Sequence, residues 1–125
     1  MISVPPFLLK RLYVKGSLRS NASGFEFQLK NSLGSGYGNA MLPLVLDGEE
    51  IPMDRCSFVA DDKEVLFAVV SEETPFTLGM NKTLTILVTD VDLAPGAHRI
   101  RLGFVVAGLG ELSFQVSDIV SEASD

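Results

Sequence analysis

Apolar and polar residues alternate in short runs along this chain, and clusters of Gly, Pro, Asn and Asp separate the runs. In Gly24–Lys30, the residues Phe25, Phe27 and Leu29 alternate with polar residues, which predicts a strand with one buried face. The run Thr83–Thr89 repeats this pattern with many β-branched residues, which favour a pleated backbone. Such runs recur roughly every ten to fifteen residues, and this recurrence predicts an antiparallel sandwich.

Turn residues predict where the chain reverses direction. The run His98–Val106 follows Pro95-Gly96, and we expect it to form a hairpin with Glu111–Ser117. Two further hairpins are expected around Asp47-Gly48 and around Asp61-Asp62-Lys63.

Other segments give less regular patterns. Phe7–Leu18 is strand-like, and Pro43 is expected at the edge of a sheet because proline cannot donate a ladder hydrogen bond. Val65–Val70 is apolar on both faces, so either a loop of the same chain or a subunit contact should cover it. Asn31–Ala40 and Ser71–Asn81 are expected to be long loops, where function often lies.

These elements predict one all-β domain over residues 1–125, with its core at about 7–117 and an acidic tail at 121–125. The fold class is a two-sheet antiparallel β-sandwich, jelly-roll or immunoglobulin-like, with about eight strands.

Composition narrows the classes of partner. The formal net charge of −6 disfavours nucleic acid, because binding to nucleic acid depends on Lys and Arg that neutralise phosphates. No apolar stretch is long enough for a membrane helix, and the first residues do not resemble a secretory signal. The single cysteine, Cys56, cannot form an internal disulfide, which favours a cytoplasmic location.

The residues that could carry chemistry are few. His98 is the one histidine, so we expect no metal site in this chain, and the simplest interpretation is a half-buried histidine bonded to a nearby loop. Cys56 would need a base such as His98 to act as a nucleophile, and a small buried core residue is the simpler role. The acidic pairs 49–50, 61–62 and 72–73 fall in turns, where acids are usually solvated. Residues 34–38 are glycine-rich but lack the lysine and the helix of a phosphate-binding loop. We therefore expect no catalytic residues in this chain.

Four motifs, in this order, resemble the small β subunit of bacterial C-glycoside deglycosidases over roughly residues 7–117. They are Tyr13–Leu18, Gly24–Leu29, Leu46–Pro52 and Leu93–His98. The resemblance implies a carbon-carbon lyase in which this chain is the accessory subunit, without an active site or cofactor of its own. The partner is then an α subunit with a TIM barrel that holds a divalent metal, usually manganese. The reaction implied is cleavage of the C–C bond between a 3-oxo-glucosyl group and an aromatic aglycone such as a flavonoid.

The same resemblance implies that the two long loops shape a substrate pocket. Tyr37, Phe76 and Met80 would narrow a pocket for the aromatic glycoside substrate at or near the subunit interface, with His98 as a further pocket or interface candidate. Alternatively, these side chains pack in the interface or lie in solvent. The apolar run Gly103–Gly110 is expected to form oligomer contacts. The alternative function is a stand-alone interaction or carbohydrate-binding sandwich without catalysis.

Overall fold

A computed structural model describes residues 5–34 and 36–121, and this part of the chain forms two antiparallel sheets. The spatial order in the first sheet is β1 (Arg19–Ser20), β2 (Gly24–Lys30), β9 (Thr83–Thr89), β6 (Cys56–Ala60) and β7 (Lys63–Leu66). The order in the second is β5 (Glu49–Glu50), β4 (Val45–Leu46), β10 (Ala97–Val106), β3 (Gly36–Met41) and β8 (Phe76–Leu78), and β11 (Gly110–Ile119) pairs with β10. The expected all-β, two-sheet sandwich is confirmed. Four of the eleven strands in the described residues have only two or three residues.

The centre of the first sheet follows the alternation of the sequence. Strands β2 and β9 pair along their whole length, with Phe27 opposite Ile86. The apolar residues of both strands are buried: Phe25, Phe27, Leu29, Leu84, Ile86 and Val88. The structure therefore confirms both predicted strands.

The long hairpin of the second sheet also follows the prediction. Strands β10 and β11 pair continuously from Ala97 opposite Ile119 to Val106 opposite Gly110. Gly108 and Gly110 have positive φ in the turn, a conformation that glycine adopts without a steric cost. The hairpin buries the side chains of Ile100, Leu102, Phe104, Leu112 and Phe114 against the first sheet.

The two short hairpins lie where the turn residues predicted them. Asp47 and Gly48 have φ of 51° and 88°, as a two-residue hairpin turn requires. Asp61 and Asp62 have φ of 51° and 64° in the turn between β6 and β7. Pro43 lies outside the strands, in the break between β3 and β4.

The opening segment differs from the prediction. Phe7–Leu18 does not begin with a strand: Pro6–Leu9 is a short helix (α1), and a 3₁₀ turn follows at Lys10–Leu12. Pro6 fixes φ near the helical value at the first helical position, which favours the helix start. Leu9 and Leu12, three residues apart, face the core together.

The apolar run Val65–Val70 is not one two-faced strand either. Strand β7 ends at Leu66, and Phe67–Val69 is a 3₁₀ turn. The turn places Phe67 and Val70 in the core and leaves Leu66 and Val69 about half exposed.

The two segments expected to be loops contain paired strands. Within Asn31–Ala40, β3 begins at Gly36, and within Ser71–Asn81, β8 pairs with it. Glycine has a low strand propensity, and this hid β3 in the sequence. Ser35 and the tail residues 122–125 lie outside the described residues.

Candidate functional site

An open cavity of about 370 Å³ lies at one end of the sandwich. The N-terminal helical segment, the Asn31–Gly34 loop, the paired strands β3 and β8, and the β10–β11 turn surround it. Its lining residues are Leu8, Leu9, Leu12, Asn31, Leu33, Gly34, Gly36, Tyr37, Gly38, Phe76, Phe104, Val106, Leu109 and Leu112. Nine of these fourteen residues are Leu, Phe or Val, and none is charged. The cavity therefore suits an uncharged, apolar group.

Two glycines on the same face of β3 leave room for this cavity. Because residues two apart in a strand point the same way, Gly36 and Gly38 leave that face of β3 without side chains. A methyl group on Gly38 would meet the Phe76 ring at 2.0 Å, so Phe76 covers this glycine. A methyl group on Gly36 would meet only Val106, at 3.5 Å. The space beside Gly36 is therefore open.

Asn31 is a buried polar side chain in this apolar lining, with only 2% of its surface exposed. Its Nδ2 donates to the carbonyl oxygens of Gly34 (2.7 Å) and Gly79 (3.2 Å). Its Oδ1 accepts from the amides of Leu33 and Gly34. Asn31 therefore ties the loop after β2 to the loop after β8.

A smaller void of about 20 Å³ lies between the sheets beneath the cavity. Leu12, Asn31, Phe76 and Phe104 line both spaces. The void therefore lies directly behind the inner wall of the cavity.

The structure brings together two of the four predicted site residues. Tyr37 and Phe76 line the cavity, with Tyr37 at its exposed rim. Met80 is about half exposed and is not among the lining residues. His98 lies near the opposite end of β10 from Phe104 and Val106, roughly 20–27 Å away at the rise of a strand.

His98 forms a structural bridge between two loops. Its Nδ1 lies 2.6 Å from Asp47 Oδ2 and its Nε2 lies 2.6 Å from the Ala94 carbonyl oxygen. Both neighbours are acceptors, so both ring nitrogens act as donors when the ring is protonated. The hydrogen bonds to Ala94 and Asp47 raise the pKa of His98. Hydrogen bonds from the Arg99 amide and from His98 lower the pKa of Asp47.

Cys56 is fully buried in β6 and its thiol faces the Pro52 carbonyl oxygen at 3.7 Å. Burial and the nearby Asp54 raise its pKa to about 11. A raised pKa disfavours the thiolate, which is the nucleophilic form.

Tyr13 and Asp118 fasten the N-terminal segment to β11. The Tyr13 hydroxyl donates to Asp118 Oδ2 at 2.6 Å, and the Gly16 amide donates to the same atom at 2.9 Å. Burial and the bond to Asp118 raise the pKa of Tyr13. Burial alone would raise the pKa of Asp118, but the bonds from Tyr13, Ile119 and Gly16 outweigh it and lower that pKa. These ionisable groups therefore hold the fold together.

The acidic pairs at 49–50, 61–62 and 72–73 are exposed. Among residues 5–34 and 36–121, no three His, Cys, Asp or Glu side chains cluster closely enough to hold a metal ion. No helix in the same part of the chain is long and apolar enough to cross a membrane.

The sequence patterns missed much of the cavity. Asn31 follows directly after β2. Asparagine often closes a turn by a side-chain hydrogen bond, and this preference is a weak signal for the role of Asn31. Leu8 and Leu9 fall in the run that the sequence predicts to be strand-like, and the three-residue spacing of Leu9 and Leu12 is the signal that favours a helical turn. Leu109 and Leu112 were seen as hairpin residues, and only the fold places them beside α1.

A family model described as "Hydroxymethylglutaryl-CoA reductase, N-terminal domain" matches residues 8–121. No curated protein matches the sequence. The assignment to the C-glycoside deglycosidase β subunits is wrong, because the matched family is a different one. The motifs behind that assignment include Asp47-Gly48 and Pro95-Gly96, which are common turn sequences. C–C bond cleavage and a manganese-holding TIM-barrel partner rested on the resemblance alone and stay untested predictions.

Proposed function

Since the chain belongs to the family of hydroxymethylglutaryl-CoA reductase N-terminal domains, we propose that it is a non-catalytic accessory domain that packs against the catalytic part of an enzyme. The few ionisable side chains predict no catalytic residues in this chain, and that expectation is compatible with an accessory role. Any cofactor then lies in the catalytic partner. The single cysteine supports a cytoplasmic location for the assembly.

The observation that carries this proposal is a group of exposed apolar side chains, two that line the cavity (Leu33 and Tyr37) and one next to the lining residue Leu8 in the chain (Phe7), which we call the rim. Phe7, Leu33 and Tyr37 are 67%, 40% and 59% exposed. Leu33 and Tyr37 line the cavity, and Phe7 belongs to the same helix as the lining residues Leu8 and Leu9. Apolar side chains grouped around an opening are typical of surfaces that bind another protein.

The ionisable side chains support the same role. Both ring nitrogens of His98 face acceptors, and Asp118 accepts from three donors. The Cys56 thiol is buried and has a raised pKa. Groups that are held in this way keep loops in place and are poorly suited to transferring protons to a substrate.

The alternative is a stand-alone sandwich that binds a carbohydrate. A sugar needs hydrogen bonds along its ring as well as an aromatic platform. Tyr37 offers an exposed aromatic ring, but Asn31 already donates to Gly34 and Gly79. The apolar lining therefore favours the accessory role.

Co-expression tests the proposal. The tagged full chain is produced together with the catalytic domain of a hydroxymethylglutaryl-CoA reductase, and size-exclusion chromatography with light scattering measures the complex. Reduction of hydroxymethylglutaryl-CoA is the first activity to assay, because the family description names that reductase. We expect a stable complex in which this chain alone has no activity.

Charged substitutions locate the docking surface. Leu33→Glu and Tyr37→Glu place a charge on the rim and should weaken the complex at least about tenfold, because a buried unpaired charge is costly. Ile119→Glu is the matched control, since Ile119 is 65% exposed at the other end of β11. Equal binding by all three variants would reject the rim as the docking surface, and turnover by the isolated chain would reject the accessory role.

A further inference from the structure

The cavity has the size and lining of a small-molecule site. Its volume of about 370 Å³ falls at the lower end of the ligand pockets found in proteins, roughly 300–1,000 Å³. Its walls are side chains from four separate segments held by the core, including Leu9, Leu12 and Phe104, each at most 5% exposed. The inner wall is therefore fixed by the packing of the sandwich.

We propose that this cavity binds an uncharged, mainly apolar small molecule about the size of two or three six-membered rings. This inference goes beyond the accessory role and does not depend on it. The size follows from comparison with apolar cavities of about 150 Å³, which take up a single benzene molecule. The cavity here has more than twice that volume.

The charge of the ligand follows from the lining. No lining residue in the described part of the chain carries a charged side chain, so a charged group would lose its hydration without gaining a partner. The side-chain amide of Asn31 is hydrogen-bonded to the backbone of Gly34, Gly79 and Leu33, and it holds these loops in place beside the cavity. Shape and apolar contact therefore select the ligand.

A larger side chain at position 36 would reduce the volume of the cavity. Gly36 lines the space, and its φ is not in the left-handed region, so another residue can occupy this position without backbone strain. An added side chain would point toward the lining residue Val106. Gly36→Phe should therefore fill the cavity from inside. Thr77→Phe is the matched control, because Thr77 is exposed on the adjacent strand β8 and does not line the cavity.

The test uses the full chain and N-phenyl-1-naphthylamine, an uncharged apolar molecule whose fluorescence rises in dry surroundings. We expect saturable binding at one site in the wild-type chain. Gly36→Phe should weaken binding by at least about tenfold and Thr77→Phe by no more than about threefold. A related molecule with the same rings and a sulfonate group, 1-anilinonaphthalene-8-sulfonate, should bind at least about tenfold more weakly than the uncharged one.

Amide NMR spectra of the wild-type chain give a measurement that does not depend on a variant. The uncharged molecule should shift the amides of Leu33, Gly34 and Leu109 and leave those of His98 and Asp47 unchanged. Unsaturable binding, equal binding by Gly36→Phe, equal binding of the sulfonate, or shifts centred on His98 would each overturn the proposal. Gly36→Phe leaves the rim side chains intact, so it should still bind the catalytic partner, and failure of one proposal is distinguishable from failure of the other.

Discussion

His98 and Asp47 show how single side chains in this protein serve the fold. The Asp47 carboxylate accepts from the Arg99 amide through Oδ1 at 2.8 Å and faces His98 through Oδ2. This residue therefore fixes the turn between β4 and β5 against β10. The sequence placed His98 at the start of a strand and favoured a bond to a nearby loop, and the structure confirms that interpretation.

The protonation of His98 should make stability depend on pH. Its pKa is raised in the folded state, so its contribution is fully present below the unfolded value of about 6.5 and is lost as pH rises through the folded pKa. NMR titration should give a His98 pKa above that of an unfolded chain, and Asp47→Asn should lower it. Urea unfolding at pH 6 and pH 8 should show a smaller loss of stability in His98→Gln than in the wild type. An equal loss in both proteins would contradict this assignment.

The Cys56 thiol should be unreactive in the folded protein. Its pKa is raised to about 11, whereas an unfolded cysteine has a pKa of about 8.5. Alkylation by iodoacetamide at pH 8 should therefore be at least about a hundredfold slower in buffer than in denaturing urea. A free cysteine peptide supplies the reference rate, and alkylation of the folded chain at that rate would contradict the buried position.

At the scale of the secondary-structure elements, the pairing of β2 with β9 requires Gly24 to lack a side chain. A methyl group there would lie 2.1 Å from the Val88 carbonyl oxygen, which is backbone and cannot turn aside. Gly24→Ala should therefore lower the free energy of unfolding by about 1–3 kcal/mol through overpacking. Gly36→Ala is the control, because its methyl group meets only Val106 at 3.5 Å, and it should change the stability by less than about 1 kcal/mol. Urea denaturation measures both, and equal stabilities would contradict the close packing of β2 on β9.

Asn31 joins two loops, so its removal should loosen both. Asn31→Ala leaves the Gly34 and Gly79 carbonyl oxygens without this donor and should cost about 1–3 kcal/mol in the free energy of unfolding. Amide hydrogen exchange should increase at Leu33 and Gly34, which donate to Asn31 Oδ1. Asn21→Ala is a useful comparison, since Asn21 Oδ1 likewise accepts from two backbone amides, those of Ser23 and Gly24, in a turn away from the cavity lining. Faster exchange at Leu33 in both variants would contradict a specific role for Asn31.

Alternation in the sequence predicts a strand correctly only where that strand buries one face against the core. Strands β2 and β9 follow from alternation because each buries one face on the core. Strand β3 could not be found in this way, because Gly36 and Gly38 have no side chains and its pairing with Phe76–Leu78 is long-range. The α1 helix depends on Leu9 and Leu12 reaching the core, which only the tertiary structure supplies.

At the scale of the whole molecule, the cavity collects residues that are far apart in the sequence. Phe76 was a predicted site residue, yet Leu8 and Leu109, which line the same cavity, come from segments near the two ends of the chain. The sequence could suggest that function lies in the segments around Tyr37 and Phe76, but it could not place Met80 and His98 outside the cavity. The wrong family assignment has a similar cause. Its motifs include common turn sequences, which reflect local backbone geometry and do not specify the surface of the folded domain.

We propose that this chain packs against a catalytic partner through the Phe7, Leu33 and Tyr37 rim, and that the partner depends on this contact for full turnover. The most direct test measures the turnover of the purified partner alone, with the wild-type chain, and with the Leu33→Glu and Ile119→Glu variants. The wild-type chain and Ile119→Glu should raise the turnover to the same level, and Leu33→Glu should leave it close to that of the partner alone. Full turnover by the partner without this chain, or turnover by this chain without the partner, would rule out the accessory role.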